Sequence, residues 1–193
     1  MTVLVWLAML VVTAPGWAGP PSLQWSDVYN DPAGRRDEGR GIAVALEGSV
    51  YVTGWEDRPD LMQKHNAWVR KYAADGWIVW SDVYNGPAND DDEGHGVAVD
   101  GSGNVYVVGV SSGDAWMRKY RGDGTILWTT MYDGPTRSVD RAHGVAVDAA
   151  GNAYVTGSSS RGASGLDVWV AKYSSNGALL WNTTYSGAGP GYA

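Results

Sequence analysis

Trp25, Trp80, Trp128 and Trp181 recur at roughly 50-residue intervals, each with a tyrosine four positions later: Tyr29, Tyr84, Tyr132 and Tyr185. The first three pairs are followed by the same train of signals. Gly41, Gly96 and Gly144 open "GIAV", "GVAV" and "GVAV", and Tyr51, Tyr106 and Tyr154 sit in "VYVTG", "VYVVG" and "AYVTG". Then come "AWVRKY", "AWMRKY" and "VWVAKY". A chain that repeats one unit at this period folds as a row of like modules, because each unit buries its apolar face against its neighbour.

Each unit reads as four strands. "AWMRKY" alternates Trp116, Arg118 and Tyr120 against Met117 and Lys119, and "TILWTTMY" sets Ile126, Trp128, Thr130 and Tyr132 against Leu127 and Met131. Period-two alternation rich in aromatic and β-branched residues marks strands. "DGSGN" and "DAAGN" read as short hairpin loops, and Asp75-Gly76, Asp123-Gly124 and Asn176-Gly177 supply the positive φ that tight hairpins need. The 27 Gly, 11 Trp and 11 Tyr suit short strands and tight turns better than helices. Four antiparallel strands per unit predict an all-β fold of β-propeller blades. The glycine- and alanine-bearing first strand fits the crowded centre, and the Trp-bearing last strand fits the wide rim.

"GVAVDGSGNVYVVG", "DAWMRKY" and "GTILWTTMYDGP", with close counterparts in the other two copies, resemble the bacterial SBBP, or seven-bladed β-propeller, repeat. The resemblance covers residues 23 to 190 and implies a propeller fold in an exported or cell-surface setting, with no particular activity. Ala45 departs from the Asp found at Asp100 and Asp148, which points to a turn-capping role for these aspartates. The blades are expected at 41–84, 96–132 and 144–185, preceded by a lone outer strand at 23–29. Three blades form an incomplete arc, since closed propellers have about four to eight. The two uncovered blade faces predict either a longer gene product or self-association.

A net charge of −7 with only 14 Lys and Arg argues against a nucleic-acid or anionic-membrane partner. The absence of Cys excludes disulfides and thiolate chemistry. Val3 to Val12 form an apolar run that breaks at Pro15-Gly16, too short to span a bilayer but the length of a signal-peptide core. Gly16-Trp17-Ala18 places small residues for cleavage after Ala18, so residues 1–18 are expected to be a signal peptide of a secreted or cell-surface protein. No later segment is apolar for long enough to cross a membrane as a helix.

Among the connections, the link between second and third strands is the one that varies: Trp55–Asn66, Val110–Asp114 and Ser158–Leu166. In an up-and-down blade it emerges on the same face as the inter-blade loops, expected at 30–40, 85–95 and 133–143. Variable loops on a constant scaffold are a common way to build a binding face. Arg40, His95 and His143 stand at equivalent positions just before the innermost strands, and with Trp55 and Arg161 they are the candidate rim contacts, Trp55 foremost. Equivalent positions are expected ~10 Å apart, beyond one ion's reach at bond lengths of about 2 Å, so neither a metal nor a cofactor is assigned. "NDDDEG" and "DPAGRRDEG" lack the spacing of a calcium loop and read as solvated inter-blade loops. Gly109 to Gly113 match G-x-S-x-G but lead from strand to strand, without the helix a nucleophile elbow needs. Lys71, Lys119 and Lys172 are expected to lay their stems on apolar surface and keep their ammonium groups wet. The pattern points to a non-enzymatic binding or structural module with a glycan, peptide or surface-protein ligand. The alternative is part of a propeller hydrolase or lyase whose catalytic residues lie in other blades.

Overall fold

The structure is a computed structural model that describes residues 23–30, 34–58, 63–162 and 165–186. The expected signal peptide, residues 1–18, lies outside them, as does the centre of the first variable loop. Among the described residues, twelve strands form three four-stranded antiparallel sheets, each in simple sequential order. Blade one holds β1 (Asp37–Val44), β2 (Val50–Asp57), β3 (His65–Tyr72) and β4 (Ile78–Tyr84). Blade two holds β5 (Asp92–Val99), β6 (Val105–Ser111), β7 (Asp114–Tyr120) and β8 (Ile126–Tyr132). Blade three holds β9 (Asp140–Val147), β10 (Ala153–Ser160), β11 (Leu166–Tyr173) and β12 (Leu179–Tyr185). Among the described residues no helix is long and apolar enough to cross a membrane.

The innermost strands begin four residues before the expected Gly41, Gly96 and Gly144, so the inter-blade connections shorten to 85–91 and 133–139. The reason is local. Asp92 and Asp140 open their strands buried, and their carboxylates accept the backbone N–H of Gly86 and Gly134, each at 2.6 Å. Each strand then passes a β-bulge, where the register skips one residue: Arg40 in β1, His95 in β5 and His143 in β9. A bulge places two residues opposite one and re-aims the extra side chain. The neighbouring strand must be bare at that point. A Cβ on Gly109 would stand 1.8 Å from the Glu93 carbonyl oxygen, and Gly54 and Gly157 face the same 1.8 Å clash.

The hairpins follow the sequence closely. Gly76, Gly124 and Gly177 take φ of 90°, 92° and 87°, a region that costs an L side chain dearly. Asp100 Oδ1 accepts the backbone N–H groups of Ser102 and Asn104, each at 2.9 Å, and Asp148 Oδ1 does the same for Ala150 and Asn152 at 3.0 and 2.9 Å. These aspartates are therefore turn caps. Ser112 and Gly113 alone join β6 to β7, so the G-x-S-x-G match lies in a strand–turn–strand hairpin.

Packing between blades builds the core. Tyr84 stacks on Trp116 at 4.8 Å and Tyr132 on Trp169 at 4.5 Å between ring centroids. Trp80 and Trp128 donate their Nε1–H across the same junctions to the carbonyls of Gly122 and Ser175, each at 3.1 Å. The Trp-bearing strand thus serves as a clasp onto the next blade. The lysines share in it: Lys71 Nζ and Lys119 Nζ reach those same two carbonyls at 3.0 Å, and Lys119 is buried, not wet as its spacing suggested. Residues 23–29 form no strand, because no described strand lies beside them to complete a ladder. They still lie on blade one as β4 lies on blade two. Trp25 stacks on Tyr72, Tyr29 stacks on Trp68, and Trp25 Nε1 donates to Ala74 O at 3.2 Å. At the other end every residue of β12 is exposed, with Trp181 at 44% and Tyr185 at 70%.

Candidate functional site

The three bulges converge where the innermost strands meet. A Cβ on Gly41 would stand 3.0 Å from the His95 carbonyl, and one on Gly96 2.9 Å from that of His143, so only glycine allows this approach. The His95 and His143 rings consequently stack with centroids 5.4 Å apart and planes 14° from parallel, well inside the ~10 Å expected for neighbouring blades. Both ring nitrogens of His95 are engaged. Nδ1 lies 2.9 Å from the Ala142 carbonyl and Nε2 3.0 Å from Glu93 Oε2, which leaves neither free for a metal.

Glu93, two residues before the bulge, is the hub of the cluster. It also takes Arg40 Nη1 at 3.4 Å and His65 Nδ1 at 3.3 Å, while Arg40 Nε bridges to Glu38 at 3.2 Å. The hydrogen bond from His95, aided by Arg40 and His65 against the cost of burial, draws the Glu93 carboxyl down to about 2. A carboxylate that stays ionised so far below neutrality is a fixed anchor, not a general acid. His143 is exposed, with Nε2 at 3.4 Å from Ser158 Oγ. Burial of its ring, and then the positive charge of His95, Arg141 and Arg40, holds its pKa below the usual histidine value. Among the described residues no carboxylate meets its Nδ1, so His143 and Ser158 lack the third member of a triad.

Trp55 does not serve as a rim contact. Its ring is 2% exposed, sandwiched by His65 at 4.0 Å and the Arg36 guanidinium at 5.2 Å. The expectation failed because a residue two places from a strand end on an inward-facing register position is covered by the facing strand. Arg161 sits apart from the hub, exposed and paired through Nε to Asp167 at 2.7 Å. The acidic stretch at 89–94 is also less solvated than expected, since Asp92 is fully buried and Glu93 is the hub. Beside the hub lies an open groove of about 280 Å³ whose walls include Lys64, Asp91, Glu93, Val110, Val139 and Arg141. Sequence reasoning passed over Glu38, Glu93, His65 and Arg141. The available signal was the alignment of "DEGRG", "DEGHG" and "DRAHG", which places a charged residue two positions before every bulge.

The model of the SBBP family, described as a beta-propeller repeat, matches residues 84–114 and 128–161. No curated protein matches the chain. Among solved structures, a protein of unknown function from Bacteroides caccae is similar with a TM-score of 0.55 at 15% identity, over 84% of this chain and 50% of that one. A putative gluconolactonase is similar with a TM-score of 0.47 at 16% identity, over 82% of this chain and 51% of that one. The chain thus spans about half the length of these two structures. At such identities the likeness to the first concerns the fold alone.

Proposed function

We propose that this chain, two segments of which match the SBBP beta-propeller repeat, is an exported, non-enzymatic binding module whose ligand is a peptide segment bearing charges of both signs. One observation carries the reading: the groove beside the Glu93 hub is lined by Lys64, Arg141 and Asp91, on the face where the loops of unequal length emerge. Those loops, residues 58–64, 112–113 and 161–165, differ on an otherwise constant scaffold. The charged groups at the hub are held by one another, which supplies the preorganisation that cuts the cost of binding. A peptide is favoured over a glycan because Trp55, the ring expected to offer a flat apolar surface at this mouth, is buried. A hydrolytic role finds no support in the hub, where Glu93 stays ionised and both nitrogens of His95 are taken.

Probing purified protein with parallel peptide and glycan arrays tests the reading. Binding is expected on peptides that pair acidic with basic residues, and Lys64→Glu with Arg141→Glu should reduce it at least tenfold. Hits confined to glycans, or peptide hits indifferent to both substitutions, overturn it. Export rests on the Val3–Val12 run and the Gly16-Trp17-Ala18 site. Expression in a bacterial host should place the protein outside the cytoplasm with Gly19 as its first residue, and an intact Met1 terminus on cytoplasmic protein refutes export.

A further inference from the structure

Blade one carries a seat that is filled on the other two blades. Between blades two and three, Ala142, Val155, Trp169 and Tyr173 form one wall of a tight seam of about 10 Å³, and Ala115 and Met117 of β7 press into it from the other side. On blade one the same four positions are Gly39, Val52, Trp68 and Tyr72, and they line a wider groove of about 30 Å³. Its outer wall is the segment 23–29, which supplies Trp25, Asp27 and Tyr29 where β8 supplies Thr130. What the groove lacks is the counterpart of β7. On the innermost strand the same gap leaves Ile42 51% exposed, where its counterpart Val97 is buried.

The matching projection stands on blade three. In both junctions within the chain the third strand buries two apolar residues against the next blade, Ala67 and Val69 in β3 and Ala115 and Met117 in β7. β11 repeats the pattern with Val168 and Val170, yet Val168 is 52% exposed. Lys172 follows Lys71 and Lys119, each of which reaches a carbonyl of the next blade. On blade one the equivalent carbonyl is that of Ala74, which already holds Trp25. Knob and seat are thus the two halves of one junction, carried by the first and last blades of the described chain. An apolar face of this kind is rarely left to water.

We propose that the groove of blade one seats β11 of a second copy of this chain, in a head-to-tail junction that continues the row of blades from one copy into the next. Residues 23–29 join no sheet, so their backbone offers the edge to which β11 adds as a strand. Two outer strands then compete for one place, the resident 23–29 and the incoming β12. The resident wins on charge. Asp27 holds Arg70 at 3.1 Å and the Tyr29 hydroxyl donates to Glu56, whereas β12 would bring Thr183 to Arg70. That exchange would strand a guanidinium whose side chain is 13% exposed. β12, exposed along its whole length, is the strand that yields. A head-to-tail contact closes into a ring when its rotation allows, and two copies of three blades fall within the roughly four to eight blades of closed propellers.

Sedimentation equilibrium of the full chain tests the proposal: between about 1 and 100 μM the average mass should rise from one copy toward two. Val168→Glu on the knob and Ile42→Glu on the seat alter exposed residues, so each variant keeps its fold. Either one alone should weaken association about tenfold or more, because the junction would bury an unpaired charge. Mixed in equal amounts, the two variants retain one intact junction and should associate where neither does by itself. In the wild type, hydrogen exchange should slow at amides 23–29 and quicken at amides 179–185 as concentration rises. A mass that stays at one copy, as when a foreign strand or another part of the chain fills the groove, overturns the proposal. So does association that survives both substitutions, or that leaves amides 23–29 unprotected.

Discussion

Between blades one and two, charge is compensated at both ends of the junction. At the rim Asp82 takes Arg118 Nη1 at 3.2 Å and the Tyr120 hydroxyl at 2.8 Å, and at the axis Glu93 gathers Arg40, His65 and His95. Residues 23–29 repeat the rim clasp on blade one, where Asp27 takes Arg70 at 3.1 Å and Tyr72 at 2.9 Å. Between blades two and three the same positions are Thr130 in place of Asp82, Ala171 in place of Arg118 and Arg141 in place of Glu93. Both members of the rim pair are replaced together, since either alone would leave a charge half-buried without a partner. Aromatic stacking, common to both junctions, is therefore the general adhesive of these blades, and the ion pairs are local additions to it.

The largest test of that contrast is at the rim. Asp82→Ala strands the guanidinium of Arg118, whose side chain is 11% exposed, and the hydroxyl of Tyr120, which is almost fully buried. The expected loss is about 2 kcal/mol, less than for a wholly buried pair because Asp82 is itself 30% exposed. Thr130→Ala at the equivalent point should cost under about 1 kcal/mol. Denaturant unfolding of the two variants side by side measures the difference, and equal losses would show that the Asp82 clasp adds nothing beyond its packing.

Acid separates the two axial clusters by their titration windows. Glu93 lies lower in the folded chain, at about 2, than its ordinary 4.5, so its contribution is complete above about 4.5 and drains away as pH falls toward 2. With the partial exposure of the cluster discounted, that amounts to roughly 1–2 kcal/mol. His143 is also lowered, so the unfolded chain takes up its proton first and stability starts to fall as pH drops through the ordinary histidine value of 6.5. Glu93→Gln should flatten the stability profile below pH 4.5 and leave the region near 6 alone, with His143→Gln doing the reverse. Urea unfolding across pH 3 to 8 reads both, and a profile unchanged by Glu93→Gln removes it as the anchor.

What the sequence made legible was whatever repeats at fixed spacing. The Trp–Tyr pairs, the alternation of "AWMRKY" and the glycine hairpins specify strands, their order and the blade unit, because each is a local signal read three times. The start of each innermost strand was misplaced, since "DEGHG" looks like a polar loop until the bulge and the capping role of Asp92 are known. The site was harder still. His95 and His143 meet because Gly96 admits a backbone at van der Waals distance, and no spacing along the chain encodes that approach. Trp55 failed for the opposite reason: its loop is variable, but its side chain belongs to the buried strand face beneath.

At the lower end of the blades the contrast between junctions is reversed, and there the smallest effect is expected. Asp100 caps its hairpin and also receives the Tyr106 hydroxyl at 3.2 Å, with Lys119 Nζ at 3.9 Å, while Asp148 receives Tyr154 at 3.2 Å. In blade one Ala45 takes this place, and the Tyr51 hydroxyl is buried with no partner. Ala45→Asp should give Tyr51 an acceptor, cap the β1–β2 turn and bring a carboxylate near Lys71, which already lies over the Tyr51 ring at 5.3 Å. One neutral hydrogen bond to a formerly orphaned hydroxyl is worth about 1 kcal/mol, partly offset by burial of the new carboxylate. A net gain of roughly 0.5 kcal/mol is expected in denaturant unfolding. Tyr51→Phe is the control: it removes the orphan without adding a charge, and Ala45→Asp should no longer stabilise the chain in that background. If the gain survives in Tyr51→Phe, turn capping alone accounts for the aspartates, and the hydroxyl contributes nothing to the difference between blades.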